Sequence, residues 1–197
     1  MSEPDLGWRV WHLNSSRLES WAVDYQWVPG ENVARCLANS RLACASSPGR
    51  NCHCGFWAVS APGLILNRVG GSCEPPWHVM GLISGWGTVA RHGREGFRAE
   101  RAALRCVFTD RPWRRSALTG TSSRLAGWWR RRVEVTVPAL AEARTSPDHL
   151  AALAAVATHY GVPVVSLRTA IDHGLLSELG VPPEHVREAS RLADSCQ

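Results

Sequence analysis

The sequence predicts an α+β protein: a small mixed, partly barrel-like β domain with one helix, followed by a short helical region. Three observations carry this expectation. Bulky and polar residues alternate near the start of the chain, as in strands whose side chains point to opposite faces in turn. Glycines recur at Gly81, Gly85 and Gly87 inside a strand-like run, as at bulges, barrel corners or close approaches of another group. Helix-start signals and a period near 3.6 take over after Pro138,. The chain therefore divides into a Trp- and Cys-rich domain over 1–137 and a small helical region over 138–197.

Taken in order, Trp8 to Leu13 reads as a strand with Trp8 and Val10 on one face and Arg9 on the other,. In 21–28, Trp21, Val23, Tyr25 and Trp27 share a face at period two, and Pro29-Gly30 closes the run with a turn,. These aromatics are expected to fill a sheet or barrel core, the alternative being an aromatic binding cage. Phe56 to Val59 is a short strand; Val79 to Ile83 and Thr88 to Ala90 are further strand pieces. From Phe97 the period changes: Phe97, Leu104 and Phe108 suit one helix face, and Ala99, Ala102 and Ala103 favour a helix over 97–108,.

The most distinctive stretch is Cys36 to Trp57, which holds Cys36, Cys44, Cys52 and Cys54, with His53 between the last two. Ser46 to Asn51 forms a loop that can fold Cys44 back toward Cys52 and Cys54. Four thiolates close a tetrahedral structural zinc site, and His53 can replace one of them. The spacing Cys-x7-Cys-x7-Cys-x-Cys differs from paired Cys-x2-Cys knuckles. The alternative is a set of unligated thiols packed as small apolar side chains. Cys73 is a spare ligand.

The segments CHCGFWAV and GLISGWGTVARHGREGFRAERA resemble a pattern in a protein family of high-GC bacteria. Its marks are Cys-x-Cys-Gly with an aromatic pair, then Trp-Gly-x-Val-x-x-His and Gly-Phe-Arg-Ala-Glu. The resemblance lies within residues 36–108 and brings no established activity, so it transfers no catalytic residue. It implies that knot, strand and helix form one unit.

Residues 109–132 interleave indoles with guanidiniums: Trp113, Arg114 and Arg115, then Trp128, Trp129, Arg130, Arg131 and Arg132. Arginines neutralise phosphates and an indole offers a stacking platform, so this basic face is a candidate contact for nucleic acid. All 22 basic residues are arginine. A GC-rich coding bias accounts for that, which weakens any arginine-specific argument. Val133, Val135 and Val137 then alternate as a strand. The charge is uneven: residues 1–137 carry 18 Arg against 10 acidic residues, and 138–197 carry 4 against 7,.

In the tail, Ser146-Pro147-Asp148 starts a helix whose stripe is Leu150, Leu153, Ala157 and Tyr160, with Gly161 as its stop,. Ser166 caps a second helix running toward Gly180, and Pro182-Pro183 opens a third. Helices this short need to pack on each other or on the β domain. Their net acidity argues against a DNA-reading helix and points to a protein partner or self-association.

The chain start lacks a charged-then-apolar leader and no apolar run reaches the ~20 residues that span a bilayer,. With an odd, clustered set of seven cysteines, that pattern predicts reduced thiols in a cytoplasmic protein and no membrane partner. The favoured function is a non-enzymatic binding or regulatory protein, zinc-stabilised, with nucleic acid as its first candidate partner. One alternative is a thiol-dependent or zinc enzyme, with Cys52 or Cys54 as nucleophile, His92 as base and Glu100 as orienter. The other is an interaction subunit acting through the helical tail.

Overall fold

In a computed structural model, which describes residues 3–37, 43–66, 77–109 and 147–195, seven strands form one mixed sheet. They are β1 (Asp5–Asn14), β2 (Arg17–Ser20), β3 (Glu31–Val33), β4 (Phe56–Val59), β5 (Trp77–Arg91), β6 (Gly96–Phe108) and β7 (Val164–Val165). The order β2-β1-β4-β6-β3 runs along the sheet, and β5 pairs with both β1 and β6. Strands β1, β5, β6 and β4 thereby close into a partial ring. The closure is slight on one side, where β1 meets β4 only at Trp8↔Val59, so the sheet is ring-like without being a barrel. The fold is α+β, as the sequence predicts.

The long β5 is one strand where the sequence suggested two pieces. Register shifts at Leu82/Ile83 and Trp86/Val89 let it bend while it stays paired with β6,. The glycines serve that bend. A Cβ at Gly81 would lie 2.1 Å from the Cys106 carbonyl oxygen, and Gly87 sits at the second bulge with φ +78°,.

The helix expected over 97–108 is a strand instead. Consecutive residues are buried at both ends of β6, Phe97 to Ala99 and Cys106 to Phe108, which blurs the period of two,. Pairing with β3, β4, β5 and β7 overrides the helix propensity of Ala99, Ala102 and Ala103,. The strand expected over 21–28 shrinks to a bridge between Glu19 and Gln26. There the chain turns back on β2, with Trp27 N–H donating to the Leu18 carbonyl. Trp27 is buried while Val23 is exposed.

Five helices complete the described fold: α1 (Gly63–Leu66), α2 (Pro147–Tyr160), α3 (Leu167–Asp172), α4 (Leu175–Glu178) and α5 (Pro183–Ser195). Ser166 caps α3 by accepting the Thr169 N–H at 2.9 Å, and Gly161 follows α2 at φ +64°. The second tail helix is split at Gly174, φ +72°, into α3 and α4. The sheet separates two cores. One joins Trp11, Leu13, Trp27 and Phe56 to Leu153, Val156 and Tyr160 of α2. The other joins Trp8, Val10, Met80 and Phe108 to Leu167, Leu176 and Ala189 of α3–α5. The expected α2 stripe holds at Leu153 and Tyr160, while Leu150 is exposed.

Buried indoles fill these cores, as anticipated. Trp8, Trp11 and Trp27 are almost wholly buried, each removing roughly 150–250 Å² from water. Tyr160 ties α2 to the sheet: its hydroxyl donates to the Trp27 carbonyl and accepts the Leu18 N–H, both at 2.9 Å. Strand β7 lies parallel to the end of β6. The boundary expected at 137/138 falls outside the described residues. Among the described residues no helix is long and apolar enough to cross a membrane.

Candidate metal centre

Two strand ends and the loop between them bring the cysteines together. Ala34 N–H donates to the Glu100 carbonyl at 2.7 Å, so the segment after β3 keeps to β6 and delivers Cys36. The turn before β4 supplies Cys52 and Cys54, and Cys44 comes from the intervening loop. Ligand atoms of Cys36, Cys44, Cys52 and Cys54 all lie within 4.8 Å of one another. The Cys36–Cys52 and Cys44–Cys54 sulfur pairs are 3.7 and 3.9 Å apart. All four are free thiols.

These sulfurs can hold a metal ion such as zinc. A tetrahedron with Zn–S of about 2.3 Å has S···S edges of about 3.8 Å, and both spacings match it. Two further features fit the group. A Cβ at position 49 would lie 2.2 Å from Cys44 Sγ, so only glycine leaves this cradle open. The Gly49 N–H donates to Cys54 Sγ at 3.2 Å, the kind of bond that steadies a sulfur ligand.

The thiols are electrostatically unequal. Burial alone would raise the Cys54 pKa, but Ser47, the Gly49 N–H, Cys52 and Cys44 outweigh it and hold Cys54 below the usual thiol range,. Cys44 is pushed up to about 12, chiefly through hydrogen bonding with Cys52. A divalent ion bound here would take the place of thiol protons.

Arg98 anchors the loop from behind. It is a buried residue of β6, 5% exposed. Its Nη1 donates to the Cys52 carbonyl and, at 3.1 Å, to the Cys54 carbonyl. Its Nε donates to His92 Nε2 at 2.9 Å. The guanidinium lies over Trp57 at 5.2 Å, and Trp57 stacks on His92 with 10° between their planes. Among the described residues no carboxylate forms a salt bridge with Arg98. A buried cation is costly unless it is hydrogen-bonded, and the Cys52 and Cys54 carbonyls, His92 Nε2 and the Trp57 face compensate Arg98.

Other expected site residues fall differently. His53 is exposed and outside the group of four; its carbonyl accepts the Trp57 indole N–H at 2.9 Å. The relay of thiol, His92 and Glu100 is not assembled. His92 Nε2 takes the Arg98 hydrogen bond, and Glu100 Oε2 accepts the Thr88 N–H at 3.0 Å. Burial, then the Arg98 charge, lowers the His92 pKa. The Trp113–Arg115 and Trp128–Arg132 segments, Val133 to Val137 and Cys73 lie outside the described residues.

Sequence reasoning missed Arg98 and Gly49. Arg98 stood in a stretch read as a helix, although its segment, GFRAERA, was already distinctive. Gly49 looked like an ordinary turn residue after Pro48. Compared with known proteins, the chain matches no family model, no curated protein and no solved structure.

Proposed function

We propose that this chain is a non-enzymatic binding or regulatory protein whose loop between β3 and β4 is built on a structural zinc ion. The convergence of four sulfurs within 4.8 Å of one another, two pairs of them at the edge length of a zinc tetrahedron, carries the reading. A complete sulfur set leaves no open position for substrate, which favours a structural over a catalytic ion. Zinc would be held by Cys36, Cys44, Cys52 and Cys54, with Arg98 of β6 holding the Cys52 and Cys54 carbonyls.

Metal content of protein purified without chelator, together with thiol titration and melting with and without a strong chelator, tests this. About one zinc per chain, four protected thiols and a lower melting temperature on chelation are expected. Absence of metal with seven freely titrating cysteines would overturn the zinc reading and return attention to a reactive thiol. The macromolecular partner we propose to test first is single-stranded nucleic acid, on the interleaved Trp and Arg residues of 113–132,. Binding should weaken steeply with salt and with Trp128→Ala/Arg131→Ala; salt-independent or absent binding would remove that partner.

A further inference from the structure

Beside the 34–37 segment, lined also by the 20–33 stretch and the start of β4, lies a cleft of about 410 Å³. It falls in the ~300–1,000 Å³ range of small-molecule sites. Its apolar wall is unusual. Of the large apolar side chains exposed among the described residues, Val23, Val28, Val33 and Leu37 all line this cleft, and Leu150 alone lies elsewhere. Isolated surface apolars need no explanation, but four gathered in one concavity mark a binding surface.

The polar side of the cleft is cationic. Arg9 lines it, with Nη1 donating to the Trp57 carbonyl at 2.6 Å and Nη2 to Ser20 Oγ at 2.9 Å. Its guanidinium lies 5.1 Å from the Trp27 ring centre. The Arg9 Nε is buried with no hydrogen-bond partner. Burial holds the guanidinium down to about 10,. Arg35 lines the same cleft, and the charges of Arg35 and Arg9 both act on the Tyr25 phenol. Among the described lining residues the one acid, Glu31, is paired with Arg101 at 2.9 Å.

We infer that this cleft binds a small amphipathic anion, an apolar body of roughly a dozen heavy atoms carrying one carboxylate or phosphate head. The size follows from the volume at about 30 Å³ per water-sized group. The head would meet Arg9 and Arg35, whose guanidiniums favour carboxylate and phosphate alike. The body would cover Val23, Val28, Val33 and Leu37. The inference rests on the reading of the chain as a zinc-stabilised binding protein, because Arg35 and Leu37 flank Cys36: the ion that fixes Cys36 also fixes this wall.

The test is calorimetric titration of the full chain at constant ionic strength with decanoate, decyl phosphate, decanol and inorganic phosphate. One equivalent of decanoate or decyl phosphate should bind, at least ten times more tightly than decanol, and inorganic phosphate should give no heat. The tighter of the two anions identifies the head group. Val33→Asp and Leu37→Asp, both at exposed positions, should each weaken binding at least tenfold with zinc content and melting temperature unchanged. Arg9→Gln removes a strut as well as a charge, so Arg35→Gln serves as the charge variant and should weaken binding several-fold. Decanol binding as tightly as the anions, or indifference to both aspartate variants, would overturn the inference. So would zinc-loaded protein that binds neither anion, which leaves the zinc reading standing. Anion binding by a protein found to contain no zinc would support the cleft and overturn the zinc reading instead.

Discussion

Between β3 and β4 the chain runs through described residues 34–37 and 43–55 with only Ser47 and Pro48 buried and no strand or helix. Strands β4 and β6 behave oppositely. Phe56 and Ala58 of β4 are buried, and β6 has covered side chains on both faces. The sheet is held by apolar area, worth roughly 25 cal/mol per Å² removed from water. The thiol loop removes too little to hold itself and relies on four sulfurs and Arg98. One polypeptide thus has a hydrophobic core where side chains can be layered and, on the proposed reading, a metal cross-link where they cannot, a device small cores commonly use.

The largest predicted effect tests that division from the sheet side. Leu153 of α2 is 2% exposed in the core shared with Trp11, Trp27 and Phe56. Leu153→Ala should cost about 2–5 kcal/mol, read as a lower urea midpoint for the whole sheet. Chelation should differ in kind. Amide exchange should speed up across the thiol loop while the paired amides of β1 and β5 stay protected. If chelation exposed β1 and β5 as fully as Leu153→Ala, the sheet would depend on the metal and the division would fail.

The same contrast explains what could be read from the chain beforehand. Local signals survived: Pro147-Asp148 at the start of α2, Gly161 after it and Ser166 as a cap act within a turn of helix, and the structure honours them. The four cysteines were equally legible, because sulfur ligands announce themselves by residue type. Strand β6 was not. With consecutive buried residues at its two ends, FRAERAALRCVF loses the alternation that marks a half-exposed strand,. Misreading β6 hid Arg98 as well, since a strand residue buried between Trp57 and the Cys52 and Cys54 carbonyls looks like any arginine on a solvated helix. The cleft was illegible for a related reason: Arg9, Val23, Val33 and Leu37 come together only because the chain turns back after β2.

A middle-sized effect lies where the two regions meet. Arg98→Ala would remove the donors to the Cys52 and Cys54 carbonyls and to His92 Nε2. Groups that position metal ligands typically contribute about 10–100-fold in affinity. Zinc affinity measured by competition with a chromogenic chelator should fall by that factor, with sulfur ligation retained. Unchanged affinity would mean that the loop is set by the sulfurs alone, which would sharpen the contrast by removing the sheet's part in it.

The smallest expected effect concerns a surface ion pair on the same border. Arg101 of β6 and Glu31 of β3 are 2.9 Å apart, with side chains 44% and 42% exposed. They clip β3 to β6 just before the chain leaves for Cys36. An exposed pair contributes only about 0–1 kcal/mol, and salt screens it. Arg101→Gln should therefore shift the melting temperature slightly at low salt and not measurably at high salt. Its effect on zinc affinity should be nil, because β3 also keeps its backbone pairing at Glu31↔Ala103, Asn32↔Ala102 and Val33↔Arg101. A severalfold loss of zinc affinity in Arg101→Gln would show that surface charge helps to place Cys36. The loop would then be held at its entrance by the sheet's edge as well as by its sulfurs.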